Sequence, residues 1–427
     1  ETINAISSTI TTMNVDSNQA VMSLLGNDIT TLNITNDSIN DLTALINLGD
    51  LILTSTNNEL LNTNISADQV AFIANSIPSI IFTDTSTLNT LNLTNNNSLN
   101  TLTYGTAYIP NIELTTLEAA LAITGSTSSI AVSGSVLNNL EIDSPLSSVE
   151  VLDSADILSA SLDVSSLLFD NTSLTTLNMV ALSSVNSLTI DNSSNFETLN
   201  SNDSFISSLS VTSDVSTLNI DATESASTTI AGSLFTSIVA DLGTNSVNID
   251  SSNAALLNVE IIADTLVMNT ATSNLQLNNL STITGLQVTG SALTDINSGT
   301  AVISSLDVLD SSGDLNILGT GLNAITIIDH DIQNLDVVSS LSTVLGVSSN
   351  SLTGIDVTTN TSNMMLVADG DSSVTSNTLE SLGFDVGAND INLIVNKTNL
   401  DFTIDGTAGR VTISGGDVDS LTSTSNT

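Results

Sequence analysis

Carboxylates are the chemical groups this sequence carries in number: 45 Asp and Glu stand against two cations, Lys397 and Arg410, and a single imidazole, His330. Four local groups place them within a few residues of one another: Asp310 with Asp314, Asp329 with Asp331, Asp369 with Asp371, and Asp417 with Asp419. Glycine lies inside or beside three of the groups, at Gly313, Gly370 and Gly415-Gly416. Hard oxygen donors closely spaced in glycine-containing turns suit a calcium ion. These Asp residues are therefore candidate calcium ligands, and calcium is the expected ion. The same pattern is also plain turn chemistry, because Asp and Gly both favour tight turns. No EF-hand loop accompanies it.

His330 sits between Asp329 and Asp331, where it could serve as a general base or a metal ligand. It also falls between strand-like segments at Ile327 and Ile332, as a solvated turn residue would. No nucleophile elbow of the G-x-S-x-G type accompanies it. A polysaccharide lyase needs cations against the uronate, and only Lys397 and Arg410 are on offer. A hydrolase needs only carboxylates, but sugars are gripped by Trp or Tyr, and the chain has only Tyr104 and Tyr108. The expectation is a protein that is not an enzyme, with a polysaccharide hydrolase as the weakest alternative.

The formal net charge is -43 over 427 residues, yet charged residues are only 11% of the chain. The acidity thus comes from missing cations, and the surface must be built from neutral polar groups. Binding to nucleic acid or to an anionic membrane surface is excluded, since both need clustered Lys and Arg. Hydrophobic residues at 40% exclude intrinsic disorder. Aromatics are only 2%, so the core must be aliphatic. Without cysteine there are neither disulfides nor thiolate metal sites. No apolar run reaches the ~18–20 residues of a membrane helix, so no membrane insertion is expected. The chain begins at Glu1 without a Met or a basic-then-apolar leader, which reads as a processed chain or a fragment.

The elements that position these groups come from a repeat. An aliphatic residue, two small polar residues, an aliphatic, a polar and another aliphatic recur along the chain. Examples are Ile10-Thr-Thr-Met13-Asn-Val15, Val185-Asn-Ser-Leu188-Thr-Ile190 and Ile303-Ser-Ser-Leu306-Asp-Val308. The alternating tail reads as a strand with one buried face. Strands so short are stable only when each stacks on its counterpart in the next repeat. Successive central aliphatics, such as Leu177, Leu188, Leu199, Leu209 and Leu218, step by about ten residues. The predicted fold is all-β, a parallel β-solenoid with about ten residues per strand-turn unit and two or three such units per coil. Leu177, Leu188, Leu209, Leu218, Leu286, Leu306 and Leu335 should point inward in stacked columns, and Asn side chains should ladder between coils.

Ser66-Ala-Asp-Gln69 matches a capping box, followed by Val70, Phe72 and Ile73 and closed by Pro78. It predicts a short helix near 67–76. The domain reading is first coils with a helical insertion or cap over 1–85, then solenoid repeats over 86–427 with a frayed C-terminal end from Ser420. Leu88-x-x-Leu91-x-Leu93-x-x-Asn96 also fits the core of a leucine-rich repeat, so a horseshoe competes, although a ten-residue step is short for a strand plus a helical return. Thr11-Thr12 and Thr30-Thr31 are similar to the threonine rows of ice-binding solenoids, but the doublets are irregular.

In its cation-poor, Cys-free composition the chain resembles the β-solenoid region of bacterial surface-layer proteins and related RTX-type secreted proteins. Runs such as Val215-Ser-Thr-Leu-Asn-Ile-Asp-Ala-Thr223 and Leu286-Gln-Val-Thr-Gly-Ser-Ala-Leu-Thr294 carry the resemblance. It covers most of the chain after about residue 86. The nonapeptide of RTX calcium rolls is matched only in its first glycines, at Gly415-Gly416. The resemblance implies an exported, extracellular structural protein of the cell surface, calcium-binding and self-assembling into a layer, sheath or filament. Its partners would be copies of itself and cell-surface polysaccharide. The alternative is an adhesin stalk or a binding module for ice or another surface.

Overall fold

The structure, a computed structural model, describes residues 2–328 apart from 6–8, 27, 56–59, 75–76, 95, 127, 171–172, 192–194, 202, 223–225, 244–245, 254–256 and 310–311. Beyond them it describes the strands between 331 and 423, almost entirely as backbone after Val338. The chain forms two compact units, Glu1–Ser213 and Asp214–Thr427. Each is all-β, and its strands pair in parallel.

The repeat explains the coil. In described copies the polar residues between the first two aliphatics are exposed or half-buried, and the aliphatics before and after them turn inward. In strand Ser184–Asp191, Val185, Leu188 and Ile190 are buried while Asn186 is exposed and Ser187 half-buried. Most strands pair with the strand two further along the chain, while long strands that run through a corner, such as Asp41–Ser55, also pair with their immediate neighbours. Leu188 lies opposite Leu209, and Leu177 opposite Leu199. Coils therefore contain two strands and about twenty residues, and the ten-residue step alternates between two columns. Of the two coil sizes the sequence leaves open, the structure has the smaller.

The columns are long and almost wholly aliphatic. In the first unit one runs Leu32, Leu51, Val70, Leu91, Ile112, Ile130, Val149, Leu167, Leu188 and Leu209, each opposite the next. All are essentially inaccessible to solvent. In the second unit Val247, Leu266, Leu286, Leu306 and Ile325 stack in the same way. The seven Leu residues expected inside are all buried. A fully buried Leu is worth about 1.5–3 kcal/mol of burial free energy, so the columns are the principal stabilising term.

Corners between strands explain why the chain holds so much Ser, Thr and Asn. At a corner the parallel ladder is interrupted, and a buried backbone group must find another partner. A buried hydroxyl supplies it at corners spread along the chain. Ser86 Oγ accepts the N–H of Ile65 at 3.2 Å, Ser183 Oγ that of Leu162 at 3.0 Å, and Ser281 Oγ that of Ile261 at 3.1 Å. At other corners the side chain donates instead. Asn36 Nδ2 reaches Gln19 O at 2.9 Å, Asn96 Nδ2 reaches Ile77 O at 2.9 Å, and Thr116 Oγ1 reaches Leu99 O at 2.7 Å. Neutral side chains thus do the work that needs no charge.

One expectation and one competing reading fail. The segment at 67–76 is not helical: strand Leu61–Ala74 covers most of it, and 75–76 lie outside the described residues. Ser66 pairs with Thr87 and Val70 with Leu91. Ala67-Asp-Gln-Val70-Ala-Phe72 is one more copy of the repeat with Ala in its first aliphatic slot, and Ala67, Val70 and Phe72 are buried. A ten-residue helix is marginal on its own, and stacking between two neighbouring coils overrides its capping signal. The residues before 86 belong to the same two columns as those after. The horseshoe fails as well, since no helical return occurs among the described residues. Asn96 is buried at a corner and belongs to the solenoid. The prolines sit where the ladder tolerates them. Pro78 and Pro110 directly precede strands Ser79–Phe82 and Asn111–Thr115. Pro145 falls at the register shift between Ser144 and Ser148. At the C-terminal end, strand Asp417–Ser423 carries the chain through Ser420, and 424–427 lie outside the described residues.

Candidate functional site

Of the candidate calcium ligands, Asp310, Asp329 and Asp369 lie outside the described residues, as do His330, Lys397 and Arg410. Asp371 and Asp417 each open a strand, Asp371–Ser376 and Asp417–Ser423, and Asp419 lies within the latter. Asp331 opens strand Asp331–Ser339, and Asp314 is exposed in strand Ser312–Gly319. Asp314 stands opposite Asn334, three positions from Asp331. At about 3.3 Å per residue that separates the two backbones by roughly 10 Å along the strand. Among the described residues, no three Asp, Glu or His side chains come together as a metal site.

The structure brings other carboxylates together. Asp143 lies in register with Asp163 and Asp170 with Asp191 in the first unit. In the second unit Asp221 lies in register with Asp241, and the backbone register also sets Asp336 against Asp356 and Asp385 against Asp405. Parallel neighbours are ~4.8 Å apart, and like charges directly opposite cost a few tenths to ~1 kcal/mol. Other rows pair by hydrogen bonds between neighbouring coils. Asn33 Nδ2 donates to Asn14 Oδ1 at 2.8 Å and Asn200 Nδ2 to Asn178 Oδ1 at 2.6 Å, which are the expected ladders. Asn62 donates to Asp41 at 3.0 Å, Asn89 to Asp68 at 3.0 Å and Asn316 to Asp295 at 2.9 Å. The sequence pattern missed the Asp pairs because their residues are about twenty positions apart, and only the register joins them.

Among the described residues, two carboxylates are held below their ordinary pKa. Asp84 is lowered chiefly by the backbone N–H of Thr106, then by its hydroxyl, and Asp214 by the Ser233 hydroxyl and then its N–H. Both fasten a turn to the turn one coil on, so their role is structural.

The two tyrosines part company. Tyr104 is fully buried, its Oη 3.2 Å from Ser144 Oγ, and offers no face to a ligand. Tyr108 is 61% exposed. It walls a polar groove of about 360 Å³ lined by Leu48, Gly49, Ser66, Ala67, Asp68, Thr87, Leu88 and Asn89. The row Leu48–Ala67–Leu88 runs in register through the groove. Thr87 Oγ1 donates to Ser66 Oγ at 3.1 Å across it.

On the flanking face Thr12 stacks on Thr31, but Asp50 and Gln69 follow in the same row, so the threonine array spans two coils there. Further along, the row turns to serine: Ser129, Ser148, Ser166, Ser187 and Ser208 lie each opposite the next.

The fold defines the class: a parallel β-solenoid of two-strand coils. No family model matches the chain, and comparisons with curated proteins and with solved structures find no similar protein. Among the described residues, no helix is long and apolar enough to cross a membrane.

Proposed function

We propose that the protein is a non-enzymatic structural component of the cell exterior that self-assembles into a surface layer, sheath or filament, with calcium bridging its copies. The observation that carries this reading is the set of in-register Asp pairs, such as Asp143 with Asp163, in a chain that holds 45 carboxylates against two cations. A side-by-side contact between two such faces is repulsive in low salt, and two cations in 427 residues supply few of the ion pairs that usually set interface register. A divalent ion shared by carboxylates of two copies relieves both the pair within a chain and the repulsion between chains. The serine row supports the same reading from the neutral side, because it offers repeated hydroxyls at the coil spacing for contacts that need no charge.

The competing reading is an adhesin stalk that presents a tip and stays monomeric. Negative-stain imaging of the purified chain, with calcium and with a chelator, separates them. Ordered sheets or fibres in calcium support the assembly reading. Single particles in both conditions support the stalk.

A further inference from the structure

The groove beside Tyr108 has features that self-assembly does not use. We propose that it binds a neutral carbohydrate, with one pyranose ring stacked on Tyr108 and its hydroxyls held by Asp68, Asn89 and Thr87. This inference stands independently of the assembly reading.

The placement of the aromatic ring is the first argument. Among the described residues the largest fully buried side chains are Tyr104, Phe72, Phe169, Phe196 and Phe235, and of the aromatics only Phe205 and Tyr108 are exposed, so the fold ordinarily uses aromatics as core. Tyr108 instead stands out from the surface at a rigid position. Its N–H donates to Ser86 O at 3.0 Å, its carbonyl accepts the N–H of Leu88 at 2.8 Å, and it bridges to Thr87 in parallel. A ring held on a coil is preorganised for a flat ligand, where a loop residue would first have to be ordered. The π face of Tyr is electron-rich, and it meets the weakly positive axial C–H groups of a sugar ring.

The floor and rim are the second argument. The groove is concave because small residues line it. Ala67 sits between Leu48 and Leu88 in its row, and a Cβ added at Gly49 would lie 2.5 Å from Thr30 O. The rim is polar and internally oriented, with Asn89 Nδ2 on Asp68 Oδ1 at 3.0 Å. A carboxylate accepts hydrogen bonds from sugar hydroxyls, while an amide and a hydroxyl both donate and accept. A volume of about 360 Å³ lies near the small end of the ~300–1,000 Å³ range for ligand sites. It suits a short saccharide fragment whose chain continues into solvent.

Charge selects the ligand class. No cation lies among the described residues, and the chain's negative field repels an anionic sugar or a phosphate. A divalent cation would meet one carboxylate, Asp68, which already holds Asn89, and calcium requires six or more oxygens. The polar lining does not suit an apolar ligand. A neutral glycan is what remains.

The chain has no Trp, and of its two Tyr only Tyr108 is exposed, so a saccharide-induced change in tyrosine emission that is lost in Tyr108→Ala reports on the groove. The test titrates the full chain, in chelator to hold it unassembled, with hexasaccharides of glucose, mannose, galactose and N-acetylglucosamine. Hexagalacturonate is the anionic control. At least one neutral saccharide should change the emission saturably. By calorimetry, Tyr108→Ala should weaken that binding by about tenfold or more, whereas Tyr108→Phe should keep it within about threefold. Asp68→Asn should also weaken it. An unchanged melting temperature in Tyr108→Ala shows that the fold is intact. Absence of binding by every neutral saccharide, undiminished affinity in Tyr108→Ala, or equal affinity for hexagalacturonate would each overturn the proposal.

Discussion

Asp84 Oδ1 accepts the backbone N–H of Thr106, 22 residues on in the next coil, at 3.0 Å. The residue between the two turns, Gly105, has φ +46°, and a Cβ there would sit 2.5 Å from that same oxygen. The second unit repeats the device with an amide. Asn279 Oδ1 accepts the N–H of Thr300 at 3.0 Å, and Gly299, at φ +50°, lies equally close to it. One turn geometry is thus built once with a titrating side chain and once without.

The pair yields a pH prediction. The folded pKa of Asp84 is lowered, so its contribution to stability is present above the ordinary value of 3.8 and is lost as pH falls through the lowered folded value. Asp84→Asn should keep the hydrogen bond, as Asn279 does, but not its acid sensitivity. Melting temperatures of the two proteins, compared from neutral pH down to acid, should converge or cross as pH drops. A constant difference over that range would remove Asp84 as an acid-sensitive clasp.

Gly125 tests packing inside the coil. A Cβ at that position would fall within the ring of buried Tyr104. Gly125→Ala should therefore destabilise by ~1–3 kcal/mol through overpacking. Tyr104→Leu should recover much of that loss in the double variant, so a thermodynamic cycle should show strong coupling. Additive losses would place the two residues apart.

Leu218 is fully buried, stacked on Ile238 in its column. Leu218→Asp puts an unpaired charge between coils and should cost several kcal/mol, on the order of the largest single-site effects. Chemical denaturation measures it. A variant as stable as the parent would mean that the columns are not the core.

The Asp143–Asp163 pair carries the electrostatic argument. In chelator and low salt, Asp163→Asn replaces a like-charge neighbour with an amide and should stabilise by about 0.2–1 kcal/mol. Millimolar calcium should shrink that gain, because the parent pair is then neutralised by the ion. A gain of the same size with and without calcium would mean that the pair does not see the ion.

The strands and their buried faces were legible because Leu188, Leu306 and their kin repeat a pattern whose period only a stacked strand satisfies. Ala67 hid one copy. A methyl in the first aliphatic slot weakened the repeat, while Ser66 and Gln69 imitated a helix cap, and local propensity lost to stacking on Leu48 and Leu88. The candidate sites were less legible, for a geometric reason. Coils vary in length by a residue or two, so which Asp meets which is fixed by register rather than by spacing. Likewise nothing in the sequence distinguishes Tyr104 from Tyr108. One turns inward over the space Gly125 leaves, and the other follows a corner and faces out.

The central claim is that copies of this chain associate through shared divalent ions. Light scattering of the purified protein, in calcium chloride and in sodium chloride at equal ionic strength, tests it most directly. Sodium only shortens the screening length, to ~10 Å at 0.1 M, whereas calcium binds at the contact. Scattering should rise in millimolar calcium, fall again on adding chelator, and stay flat in sodium. Equal growth in both salts, or assembly that survives the chelator, would contradict the account.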